Sequence, residues 1–93
     1  MEPRERHVVF TTHARRRMRE RGAREETVLE AIRTGEREPA HHGHWLHRLN
    51  LEFNREWDGR FYRVQQVAPV VAEGPDRLVV IPVYVFYFQE VTR

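Results

Sequence analysis

The sequence predicts an α+β domain of order β-α-α-β-β-β, with two N-terminal helices packed on one face of an antiparallel sheet. Three observations predict it. Helical spacing punctuated by glycine fills residues 13–35, a period of two takes over between His44 and Phe53, and the chain closes with the apolar run Leu78 to Phe88. At 93 residues, 40% hydrophobic and 32% charged, the chain is a single domain, 1–93, too apolar for disorder.

The elements follow in order. Val8, Val9, Phe10 and Thr11 are β-branched or aromatic and read as a short strand. Thr11-Thr12 supplies hydroxyls to cap a helix from His13 to Arg21, which Gly22 stops. Ala14 and Met18, four apart, make its narrow core stripe. A second helix spans Arg24 to Thr34: Val28, Leu29, Ala31 and Ile32 form its apolar face, and Glu25 and Glu26 suit its positive N-terminal end. Gly35 ends it, and Glu36 to Gly43 reads as a polar connection. Along the next strand Trp45, His47, Leu49, Leu51 and Phe53 share one face, while Leu46, Arg48, Asn50 and Glu52 share the other. Asn54 to Gly59 is the connection, with Asp58-Gly59 as its turn. The third strand runs from Arg60 towards Val71, and Pro69 disturbs its pairing. After the turn at 72–76, Arg77 to Phe88 forms an inner strand, bulged or exposed at Pro82.

Charge is concentrated. Residues 11–24 hold six arginines against Glu20, about +5 in a chain whose formal total is +2. Lysine is absent, so every fixed cation is a planar fork suited to phosphate or carboxylate, and none is a general base. Without cysteine there is no disulfide, thiol nucleophile or zinc–thiolate site, a composition that fits a reducing cytoplasm. The N-terminus lacks the apolar core of a signal peptide, and the apolar run is too short to span a bilayer, so no membrane partner is expected.

His13, Arg17 and Arg21 lie in line at i, i+4 and i+8, along the edge of the buried stripe. A group titrating near neutrality beside fixed cations is what phosphoryl transfer without a metal requires. The competing reading is structural: His13 packs at the helix start, and Arg17 and Arg21 pair with glutamates. Arg48 and Arg63 either project from the polar sheet face towards a phosphate or pair across strands with Glu52 or Glu56. Arg15, Arg16 and Arg19 either hold RNA backbone or form a solvated helix face. Trp45, Trp57, Phe61, Tyr62, Tyr84 and Tyr87 either stack on bases or are core and sheet-edge aromatics, and Trp57 at the turn is the one expected to be exposed. His41, His42, His44 and His47 form a His-rich segment, but His44 and His47 fall on opposite strand faces. No pair has helical ligand spacing, and no metal or other cofactor is expected.

The run His13-Ala14-x-x-Arg17-Met18-x-x-Arg21-Gly22, followed by an acidic helix start with Val28, Ile32 and Gly35, resembles a widespread bacterial family of small proteins known only as a domain of unknown function. It departs at Ala23-Arg24, where that family more often has Ile and then a Ser or Thr cap. The family is similar in fold to the RelE and ParE toxin group, within the barnase, EndoU, colicin and RelE-like ribonuclease superfamily. The resemblance implies RNA binding and metal-independent cleavage, a base taking the ribose 2′-OH proton while arginines stabilise the phosphate. On this chain those roles fall to His13 with Arg17, Arg21, Arg48 and Arg63. The alternative is a module without catalysis, whose basic helix grips an acidic protein partner in a toxin–antitoxin-like pair.

Overall fold

A computed structural model describes residues 7–89. The chain runs β1 (His7–Phe10), α1 (Thr12–Arg21), α2 (Glu25–Thr34), β2 (Glu36–Pro39), a 3-10 turn (His41–Gly43), β3 (Trp45–Trp57), β4 (Arg60–Glu73) and β5 (Arg77–Phe88). Two helices on one mixed sheet of order β1-β5-β4-β3-β2 make it an α+β fold. β2 through β5 pair antiparallel, as expected. β1 does not: it enters parallel, placing His7 to Phe10 opposite Arg77 to Val80. The parallel edge is allowed because the two helices and three strands between β1 and β5 supply a long crossover.

Local chemistry places the helices. The Thr11 hydroxyl accepts from the Ala14 N–H at 3.0 Å and donates to the Ile81 carbonyl at 2.8 Å, so one side chain caps α1 and ties it to β5. Gly22 closes α1 in the left-handed region at φ 77°. α1 lies over β5, and α2 lies over β4 and β3. Between helices and sheet sit Ala14, Met18, Ala23, Val28, Val67, Val71, Val80, Val83 and Val85, the buried core cluster.

Three departures from the sequence reading follow from backbone pairing. The polar stretch Glu36–Pro39 is a fully exposed edge strand rather than a connection. It is held to β3 by the Arg48–Glu38 ion pair at 2.7 Å and by Arg37 lying 3.7 Å over the Trp45 ring. β3 runs on to Trp57 instead of stopping near Phe53, absorbing an extra residue in a register shift between Glu52 and Arg55, with Asn54 at φ 48°. β4 continues past Val71 to Glu73, while the disturbance expected at Pro69 is present as a second register shift between Pro69 and Val71. Opposite that shift β5 carries one extra residue, where Pro82 was expected to disturb it.

Candidate functional site

The expected site residues divide between the two faces of the sheet. His13, Arg16, Arg17, Arg19 and Arg21 are all exposed on α1. Arg15 is engaged: it pairs with Glu25 at 2.8 Å and lies 4.9 Å over the Phe10 ring. Among the described residues Arg16, Arg17, Arg19 and Arg21 form no ion pair, so their guanidinium groups remain open to solvent anions. Arg48 lies on the opposite face of the sheet, bonded to Glu38 and to the Gln66 carbonyl oxygen. Arg63 is exposed on β4 and shares strand parity with Gln65 on the helix side. The structure therefore brings His13, Arg17 and Arg21 together on one helix and leaves Arg48 on the far side.

Trp57 differs from expectation. It is half-buried, stacked on Tyr87 at 5.5 Å and 18°, and a Cβ on Gly22 would lie 2.7 Å from its ring. Beside it the Tyr87 hydroxyl donates to the Arg21 carbonyl, and the buried Gln65 amide donates to the Gly22 carbonyl at 3.1 Å and to Tyr87 at 3.0 Å. Burial raises the Tyr87 hydroxyl above its ordinary value, keeping it a donor. The last carbonyls of α1, which no helix can satisfy internally, are thus answered by the sheet. Trp57 positions the basic helix rather than offering a free ring.

On the sheet face away from the helices lies an open groove of about 870 Å³. Leu46, Ala68, Val70 and Tyr84 form part of its floor, and His41, His42, His44 and Arg48 also line it. Tyr84, Phe86 and Phe88 are 51%, 41% and 39% exposed, at alternate positions of β5. Sequence reasoning placed this strand inside the sheet, where it lies between β1 and β4, and counted Tyr84 among the aromatics able to stack, but it missed Phe86 and Phe88. The signal was present: from Val83 to Phe88 aliphatic residues alternate with aromatics until Tyr87, so one face is core and the other is a row of rings.

His47 is on the helix side, as its strand parity predicts, and is only 5% exposed with neither ring nitrogen hydrogen-bonded among the described residues. Burial lowers its pKa from 6.5, Arg37 lowers it further, and Glu73 opposes them. Below about pH 6.5 the unfolded chain takes up the proton more readily than the folded one, so stability is lost as acidity rises through that value. Thermal melting should fall between pH 7 and 5, and His47→Leu should flatten that fall without lowering the neutral melt. An unchanged pH profile in the variant counts against the assignment.

The four histidines of the 41–47 segment are accordingly split, His47 inward and the other three along the groove. Among the described residues no group of three or more His, Cys, Asp or Glu is arranged to hold a metal ion. No described helix is long and apolar enough to cross a membrane.

A family model described as "Domain of unknown function (DUF4258)" matches residues 10–85, which include both helices, all of the groove lining but Phe86, and most of β5. The chain belongs to that family. No curated protein and no solved structure matches it. The matched span includes every residue expected to carry chemistry, so the α1 arginines lie within the DUF4258 domain, and so does the groove up to Tyr84.

Proposed function

We propose that this domain binds RNA, with α1 as its phosphate-gripping element. The observation that carries the reading is the exposed row Arg16, Arg17, Arg19 and Arg21, unpaired among the described residues and fixed to a rigid helix whose two ends are tied to the sheet. Exposed guanidinium forks on one element can bond phosphate oxygens without needing sequence-specific contacts. The motif resembles a family whose fold is similar to the RelE and ParE group within a ribonuclease superfamily, and an RNA ligand agrees with that, as analogy.

The test is fluorescence anisotropy with a labelled single-stranded RNA across a salt series. Binding that weakens linearly in log salt, by about 0.7 per phosphate contacted, supports the reading. Binding absent even at low salt removes it. An acidic protein that binds instead, with RNA unable to compete, would favour the alternative of an interaction module.

Metal-independent cleavage is the narrower extension of this proposal. With Arg48 on the other face, it rests on His13 taking the 2′-OH proton as the 2′-oxygen bonds phosphorus and the P–O5′ bond breaks, on Arg17 and Arg21 facing the phosphate, and on the same proton passing to the departing 5′-oxygen, which leaves a 2′,3′-cyclic phosphate. His13→Ala should then abolish cleavage while leaving RNA affinity within a few-fold of the parent, because the exposed arginines of α1 carry the phosphate contacts. Cleavage unchanged in His13→Ala would remove the catalytic assignment and leave the binding one intact.

A further inference from the structure

The groove face carries an ordered pattern that α1 does not explain. Across the sheet, Asn50 is level with Gln66 and Gln66 with Phe86. In the next row Ala68 is level with Tyr84, and Arg48 lines the same groove. Each row thus runs from a planar polar group on β3 to an exposed aromatic ring on β5. Gln66 joins the polar ends: its carbonyl accepts from Arg48 at 3.1 Å and its amide donates to Asn50 at 2.8 Å. The short Ala68 side chain keeps the space beside Tyr84 low.

The position of these rings relative to α1 matters as much as their chemistry. β1 pairs only with Arg77 to Val80. Beyond Val80, β5 has β4 on one side and, among the described residues, no strand on the other. Along that free edge Val83 and Val85 point into the core beneath the helices, while Tyr84 and Phe86 point to the open face. The α1 arginines and the aromatic row therefore lie on either side of one exposed strand.

From this we infer that Tyr84 and Phe86 form a stacking platform for unpaired nucleobases of an RNA single strand that crosses the free edge of β5. Arg48, Gln66 and Asn50 face the base edges. The inference rests on the reading that the domain binds RNA and adds where the bases go and which form of RNA is held. Rings at alternate strand positions stand about 6.5–7 Å apart, so adjacent unstacked bases each meet a ring of their own. A duplex keeps its bases paired inside and has nothing to offer this face. The groove itself is mostly apolar, and its Arg48 is paired with Glu38. The occupant is nucleic acid rather than an apolar peptide because the Arg48–Gln66–Asn50 chain of planar polar groups runs beside the rings and because the helix across the edge is strongly cationic.

Tyr84→Ala, Phe86→Ala and the double variant test this, with a labelled oligouridylate as the single strand and its oligoadenylate hybrid as the duplex. Both side chains are exposed, so the variants should melt like the parent. The parent should prefer the single strand by at least about tenfold, and the double variant should lose at least about tenfold on the single strand with little change on the duplex. Tyr84→Phe, which keeps the ring, should bind like the parent. A double variant that binds the single strand as tightly as the parent overturns the platform while leaving RNA binding by α1 in place. Equal affinity of the parent for duplex and single strand also overturns it. So does a concentration-dependent dimer that the double variant dissolves without changing RNA affinity, since the face would then belong to a second copy. A parent that binds neither RNA form removes this inference and the RNA reading together.

Discussion

Replacing Arg16, Arg17, Arg19 and Arg21 together by Gln should lower RNA affinity by on the order of a hundredfold at low salt and flatten its salt dependence by as much as about 3 in slope. The argument is one of counting. These four guanidinium groups are exposed and unpaired among the described residues, whereas Arg15 and Arg24 are already committed to Glu25 and Glu26. Gln has nearly the helix propensity of Arg, so the backbone of α1 should survive the change. The loss of positive charge from the last turn costs the helix some of its favourable end interaction, about 0.3–1 kcal/mol for each of Arg19 and Arg21. Melting curves separate that cost from the binding effect. Affinity and slope that both stay at the parent's values would show that α1 is only a solvated face.

Gly35→Ala is the stability counterpart. A Cβ at that position would lie 2.5 Å from the Arg48 carbonyl oxygen and 2.5 Å from that of Ala31. Both are backbone atoms, one in β3 between β2 and β4 and one in the last turn of α2, so neither yields as a flexible side chain would. The φ of −72° is ordinary, and the reason for glycine here is close approach, not conformation. The expected loss is about 3 kcal/mol, the upper end of the overpacking range, and a fall in melting temperature on the order of 15 °C. Chemical denaturation should show a lower midpoint with an unchanged slope. A variant as stable as the parent would mean that α2 shifts freely on β3, and the rigid seating described for the helices would be wrong.

Much of the fold was legible because its signals are local. Thr11, Gly22 and the Ala14–Met18 spacing gave α1, and strict alternation from Trp45 to Phe53 gave β3 and correctly assigned His47 to the core side. β2 was hidden because Glu-Arg-Glu-Pro has neither alternation nor β propensity; it is a strand only because β3 offers it an edge. The parallel entry of β1 was hidden because direction in a sheet is a property of the whole topology, not of four residues. The site suffered from the same limit. Spacing along one helix aligned His13, Arg17 and Arg21, but whether Arg48 joins them depends on which face of the sheet the helices cover. Trp57 was misjudged because a turn position suggests exposure, while its ring in fact closes over Gly22.

The contacts that hold the end of α1 also bear on the order in which the chain acquires its structure. The Tyr87 hydrogen bond to Arg21 spans 66 residues, and Thr11 reaches 70 residues to Ile81. The arginine-rich helix comes early in the chain, whereas the strands that hold its ends, β4 through Gln65 and β5 through Ile81 and Tyr87, come after it. Before they pack, α1 has only local contacts, and ten residues are too few to hold a helix in water. The positively charged segment therefore becomes a shaped surface only when these distant partners close onto it, and loop closure between them sets the pace.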